Sequence, residues 1–183
     1  MNAIANVIGF DDGPFQGVRV PLLGAVYARE RLDGVVTGEI TRDGDEATQA
    51  IADLVLKSRF AEHIRCVMLQ GLTFAGFDVV DLDALHRAVA RPVLVVARKA
   101  PNLERMNAAL EKIEGANERR RRLESAGLMR PLAGVWIQSA GLSEAAAKAT
   151  LELHTRYGAF PEPLRVAHLL GAAFATGHSH GSA

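Results

Sequence analysis

Two adjacent carboxylates, Asp11 and Asp12, follow the apolar run Val7-Ile8-Gly9-Phe10 and precede the turn sequence Gly13-Pro14-Phe15. The apolar run reads as a buried strand, so the carboxylates stand at a strand tip. Like charges held together at such a place repel, and partial burial adds a desolvation cost. A divalent cation offsets both, and magnesium and manganese each favour oxygen ligands. The dipeptide therefore points to a metal-dependent site at the head of the first strand. The competing reading is an Asx turn, in which Asp11 or Asp12 only accepts hydrogen bonds from nearby backbone N–H groups.

The elements that must position this pair follow from the hydrophobic periods. Residues 5–10 and 21–29 read as strands. Arg31-Leu32-Asp33-Gly34 reads as a hairpin turn ending in Asp-Gly, and residues 35–41 complete a three-strand antiparallel meander. The period then changes: Ala47, Ala50, Ile51, Leu54 and Val55 have the spacing of an amphipathic helix over 45–59, which Asp43 or Asp45 can cap. Residues 64–69 form a short, wholly apolar run, as a central strand covered on both faces requires. A glycine-bearing loop over 70–77, a helix over 79–90 and a second buried strand over 92–97 follow. Strand, helix, strand in that order implies a parallel crossover. Residues 102–126 read as a charged helix or helix pair, 132–138 as a further strand, 143–157 as a helix capped by Ser143, and 164–176 as a final helix. Residues 177–183 read as a mobile tail. The outline is α/β, with a mixed sheet (an antiparallel meander plus parallel strands) flanked by helices in the ribonuclease-H-like order, and residues 1–183 form a single domain.

Composition narrows the partners. The chain has 21 basic and 21 acidic residues and zero formal net charge, which argues against a global electrostatic hold on nucleic acid but leaves room for a local one. The densest basic run, Arg119-Arg120-Arg121-Arg122, is interleaved with glutamates and reads as a solvated helix face. The lone Cys66 lies in an apolar run and reads as a small buried residue in a reducing cytoplasm. Residues 1–10 lack the pattern of a signal peptide, and no apolar stretch has membrane-spanning length. No Walker loop, dinucleotide fingerprint or nucleophile elbow is present. His178 and His180 lack a partner at zinc-ligand spacing.

Five stretches line up, in order, with one known family: Ile8-Gly9-Phe10-Asp11-Asp12-Gly13-Pro14-Phe15; Asp43-Gly44-Asp45-Glu46-Ala47-Thr48; residues 68–81, containing Gln70-Gly71-Leu72-Thr73-Phe74-Ala75-Gly76-Phe77; residues 92–99; and residues 161–169. The chain resembles the endonuclease-dU-like proteins, which are related to endonuclease V. The resemblance implies a magnesium- or manganese-dependent endonuclease that cleaves the phosphodiester backbone near a deaminated base, deoxyuridine or deoxyinosine. The alternative is a non-catalytic member of the fold that binds nucleic acid or nucleotide, and a small phosphohydrolase is a third reading.

On that resemblance Asp11, in Gly9-Phe10-Asp11, anchors the metal. Glu46 opens the first helix as second ligand, and Asp12 is a ligand or orients water. The relatives' third acidic position, in an Asp-Gly pair, is here Gln70-Gly71, which supplies a carbonyl oxygen but no charge; Asp12, Asp78 or Asp81 can supply the missing charge from a shifted position. Lys99 and Arg98 follow a strand at its carboxyl end, where α/β sheets place ligands, and read as phosphate contacts or as solvated cations. Phe74 and Phe77 read as platforms for an extruded base or as core residues, with Gly71 and Gly76 permitting close approach. Arg165 is a substrate contact. His168, one turn further along the last helix, either faces the site or packs in the core.

Overall fold

The computed structural model describes residues 3–179. The chain opens with β1 (Asn6–Asp12), β2 (Arg19–Ala28) and β3 (Arg31–Thr41), paired antiparallel as a meander. The β2–β3 turn is tighter than the sequence suggests. Ala28 pairs with Arg31, leaving Arg29 and Glu30 as the turn, with Arg29 left-handed at φ 55°. The Asp-Gly pair expected at the turn lies inside β3 instead. Val26 pairs with Gly34 and Tyr27 with Leu32, so Asp33 is the extra residue of a β-bulge. Gly34 is required there because a Cβ would lie 2.3 Å from the Phe60 ring.

Helix α1 (Ala47–Lys57) follows. Its expected cap is corrected: neither Asp43 nor Asp45 caps it. Asp78 Oδ2 instead accepts from the Glu46 and Ala47 N–H groups, both at 2.9 Å. Asp78 belongs to a small hairpin, β5 (Thr73–Phe74) and β6 (Asp78–Val79), formed by residues that read as an open loop. Between them, β4 (Cys66–Gln70) is the central strand. Helix α2 (Leu82–Val89) is capped by Asp81, whose side chain accepts from Ala84 N at 2.8 Å, and leads to β7 (Val93–Ala97). The charged segment is a helix pair, α3 (Leu103–Leu110) and α4 (Ala116–Ser125). The late strand is a hairpin, β8 (Arg130–Leu132) and β9 (Val135–Ala140). Helices α5 (Glu144–His154) and α6 (Glu162–Thr176) close the fold, and Ser143 caps α5 as expected, accepting from Ala146 N at 3.3 Å. The mobile tail expected from residue 177 lies mostly outside the described residues, as does His180.

The main sheet runs β3-β2-β1-β4-β7-β9-β8. The β1–β4 and β4–β7 pairs are parallel, and β7–β9 and β9–β8 are antiparallel. Alternation along the strands gives each face its own core. Ile8, Phe10, Val67, Leu69 and Val95 pack with α1 and α2 on one side. Val7, Met68, Leu94 and Val96 pack with Leu151, Leu164 and Ala167 of α5 and α6 on the other. Each fully buried large apolar side chain stabilises the fold by about 1.5–3 kcal/mol. No helix among the described residues is long and apolar enough to cross a membrane.

Candidate active site

Helix α6 lies along β1 because glycine lets it. A Cβ on Gly9 would stand 2.6 Å from the Pro163 backbone, one on Gly13 would stand 2.6 Å from the Gly171 carbonyl oxygen, and one on Gly171 would stand 2.7 Å from Gly13 Cα. The spans agree. Four strand residues cover roughly 13 Å and eight helical residues about 12 Å, so helix and strand run side by side from one contact to the other. Asp11 and His168 sit between those contacts. His168 Nδ1 is 2.7 Å from Asp11 Oδ2. Asp11 is 4% exposed, whereas more than half of the His168 side chain reaches solvent. Burial pushes the Asp11 carboxyl up, against the lowering pull of His168. The hydrogen bond and charge of Asp11 push the imidazole up, favouring the protonated ring.

Phe10 pairs with Leu69, so Asp11 and Gln70 occupy the next rung of two parallel strands, roughly 5 Å apart. By alternation both share the α6 face with Gly9 and Met68. Gln70 Oε1 is buried with no hydrogen-bond partner among the described residues. Such an atom is costly unless something donates to it or coordinates it.

Adjacent strand residues face opposite sides, and this separates the two aspartates. Asp12 points to the α1 side, where its Oδ2 accepts from Ala75 N at 2.5 Å. Burial and the charge of Asp11 raise its carboxyl to about 6. Ala75 is left-handed at φ 47°, and its carbonyl accepts from Asp43 N at 2.8 Å. Asp43 Oδ1 in turn accepts from Phe77 N at 2.9 Å. Two aspartates thus hold the tip of the β5–β6 hairpin. Gly76 at that tip would place a Cβ 2.4 Å from Asp43 Oδ1, so only glycine fits.

The remaining expected residues are spread more widely. Glu46 accepts from Thr41 N and lies 3.9 Å from an Arg19 Nη1, with its side chain 45% exposed. Among the described residues no group of three or more His, Cys, Asp or Glu side chains is gathered as a metal cluster. Phe74 is 1% exposed and belongs to the core. Arg165 is held bidentately by Glu162, at 2.8 and 2.6 Å. Lys99 is exposed just beyond β7, and Arg98 stacks over Phe160 at 4.3 Å while its charge opposes that of His168.

Two members of the arginine run, Arg119 and Arg122, are corrected from a solvated face to a clamp, while Arg121 is exposed and pairs with Glu118. Arg119 is buried, and its Nη2 donates to the carbonyls of Asp43 and Gly44 at 2.5 and 2.7 Å. Arg122 Nη1 donates to Asp45 Oδ1 at 2.5 Å and to the Val79 carbonyl at 3.0 Å. These contacts fasten α4 to the β3–α1 loop and to β6. Beneath the helix pair lies a cleft of about 280 Å³, floored by Gly71 and Ala97 at the carboxyl ends of β4 and β7 and walled by Leu103, Met106 and Leu128. Thr73 and Gln138 alone among its lining residues carry polar side chains.

Sequence reasoning left His168 open, offered Asp78 as a replacement charge for Gln70 where the structure has it capping α1, and missed Gln138. The signal for His168 was its three-residue distance from Gly171, a small residue on the helix stripe that includes Leu164 and Ala167. Gln138 gave no signal, because one polar residue in a strand reads as an outward position.

Comparison with known proteins agrees with this architecture. The family model described as endonuclease dU matches residues 3–175. A UPF0215 protein of Deinococcus radiodurans is 46% identical over 182 residues, covering 97% of this chain and 93% of its own. One from Methanosarcina barkeri is 36% identical, with 97% and 94% covered. A crystal structure of an Archaeoglobus fulgidus protein of unknown function superposes with a TM-score of 0.89 at 32% identity, covering 93% of this chain and 98% of that one. Ciona intestinalis endonuclease V, solved with a 24mer DNA containing an inosine followed by a ribo-adenosine, gives 0.59 at 12% identity over 89% of this chain and 82% of that one. That last likeness is one of fold, the ribonuclease-H-like arrangement. With the family model covering nearly all of its length, the chain belongs to the endonuclease dU family.

Proposed function

We propose that this protein is a magnesium- or manganese-dependent endonuclease that hydrolyses a phosphodiester beside a deaminated base in DNA. One observation carries the reading: Gln70 Oε1 is buried with no hydrogen-bond partner among the described residues, on the strand next to the buried Asp11 and on the same face at the carboxyl ends of β1 and β4. Two oxygen-bearing side chains on one face of neighbouring strand ends suit a hard divalent cation, with water and phosphate oxygens completing its shell. Asp11 and Gln70 are the residues that would hold it, and Asp12 and Glu46 stay in the proposed site as the further carboxylates. When bound, the ion supplies charge neutralisation and an acidified water.

The protein's own groups do the rest. His168 fixes the Asp11 carboxylate in one orientation, and its ring, favoured in the protonated form, holds a proton for the departing oxygen. Arg98 and Lys99 stand at the same sheet end as phosphate contacts. The cleft under α3 and α4 takes the extruded base, its floor one residue from Gln70 and one from Arg98. The family's description as endonuclease dU and the inosine-containing DNA bound by the Ciona protein support this reading.

A second reading is a non-catalytic binder of nucleic acid on the same fold. It is favoured by the uncharged Gln70 and the lack of a three-member acidic cluster among the described residues. End-labelled strands carrying one deoxyuridine, one deoxyinosine or normal bases, incubated with manganese or with chelator, separate the two. Metal-dependent nicking confined to the modified strands is expected. Retained binding without any nicking would overturn the first reading in favour of the second.

A further inference from the structure

Gln138 sits on β9 with 7% of its surface exposed and lines the cleft beneath α3 and α4. Its Nε2 donates to the Gly127 carbonyl. A carbonyl can only accept, so this contact fixes the amide: the NH₂ is committed to Gly127 and the oxygen is the free end. That oxygen has no hydrogen bond among the described residues. The other polar side chain of the cleft, Thr73, has a hydroxyl that rotates to donate or accept and so selects for neither. Among the side chains lining the cleft, then, Gln138 alone offers a fixed acceptor that cannot donate.

Deamination changes the one ring position such an acceptor can read. Cytosine N3 and adenine N1 are lone-pair acceptors. After hydrolysis of the amino group, uracil N3 and hypoxanthine N1 each carry a hydrogen. An acceptor facing that position bonds the deaminated base and meets lone-pair repulsion from the amino parent. We infer that Gln138 is the specificity-determining residue of this cleft, accepting through Oε1 the ring N–H that deamination creates. The inference rests on the proposed seating of a base in the cleft and deepens it. Thymine and guanine also carry a ring N–H, so Gln138 separates a deaminated base from its amino parent and not from those two. A near-buried acceptor left unpaired costs about 1–3 kcal/mol, which converts to roughly 10- to 100-fold in affinity.

The test uses the full chain and fluorescence anisotropy in chelator, so that nothing is cleaved. The probes are single-stranded oligonucleotides carrying one deoxyuridine, deoxycytidine or N3-methyldeoxyuridine, and the matching set of deoxyinosine, deoxyadenosine and N1-methyldeoxyinosine. Wild type is expected to bind a deaminated base at least about 10-fold tighter than both its amino parent and its N-methyl derivative. Gln138→Met should bring the three to one Kd. Should that variant melt early, the N-methyl comparison on wild type decides alone. Equal wild-type affinity for a deaminated base and its N-methyl derivative, both tighter than an unmodified strand, overturns the role of Gln138 and leaves the proposed function standing. Equal affinity for modified and unmodified strands overturns both.

Discussion

Asp11 and His168, 157 residues apart in sequence, meet at 2.7 Å where the last helix crosses the end of the first strand. The pair joins a buried acid to a base that reaches solvent, and among the described residues neither group finds another charged partner so close. Asp11→Asn keeps the side chain's shape while removing its charge. It is expected to lower manganese-dependent nicking by about 100-fold or more, as removal of a charge-stabilising catalytic group does. His168→Gln is expected to lose about 10²–10⁴-fold, the range for general acid–base groups. Single-turnover nicking rates check both. Full activity in Asp11→Asn would remove the carboxylate from the site.

Gly171→Ala would put a Cβ 2.7 Å from Gly13 Cα and 3.0 Å from the Asp12 carbonyl oxygen. Both are backbone atoms and cannot swing aside, so α6 has to shift. The expected cost is about 1–3 kcal/mol, read as a lower urea midpoint. Because His168 rides on the same helix, nicking should fall further than the lost stability explains.

His154 adds an acid-sensitive contribution to stability at the far end of the sheet. It is 2% exposed, its Nε2 is 2.9 Å from the Ile4 carbonyl, and burial lowers its pKa below the usual 6.5. The unfolded chain therefore binds the proton more readily than the folded one. The contribution of His154 to stability is full above pH 6.5 and falls as pH drops from there through the lowered folded value. His154→Gln keeps a donor for Ile4 and has no charge to gain. Its melting temperature relative to that of wild type is expected to rise as pH drops from 7.5 to 5 in matched thermal melts, since Asp12, raised to about 6, titrates in the same window in both proteins.

Arg119 bonds the carbonyls of Asp43, Gly44 and Glu114 from inside the protein. Arg119→Met keeps most of the packing and deletes every donor. Amide exchange across residues 103–125 is expected to quicken while β4 and β7 stay protected, because α3 packs chiefly on α4. Unchanged exchange in the variant would show that the helix pair does not depend on the Arg119 contacts, leaving Arg122 and apolar packing to hold it.

The central strands, the first helix and the α5–α6 close were legible because each carries an unbroken period: wholly apolar in Val93–Ala97, helical in Ala47–Lys57. The errors fell where a long-range contact outvoted a local signal. Asp33-Gly34 carries a turn dipeptide, yet the strand runs through it as a bulge because Gly34 makes room for Phe60. Asp43 and Asp45 stand where caps stand, but Asp78, 32 residues after Glu46, reaches the helix N-terminus first. The arginine run looked solvated because its acceptors are backbone carbonyls of a distant loop, which no side-chain pattern records. At the site, adjacency misled in the other direction. Asp11 and Asp12 are neighbours in sequence, but a strand turns consecutive side chains apart, so one meets His168 and the other meets Ala75.

The seating of α6 on β1 through Gly13 and Gly171 bears on how the protein is made. A chain emerging from the ribosome displays residue 11 well before residue 168. Until the last helix has been released and docked, the acid stands without its imidazole, and no truncated or half-made copy holds both. Under the proposed activity, the capacity to cut a nucleic acid would arise only once α6 has docked on β1.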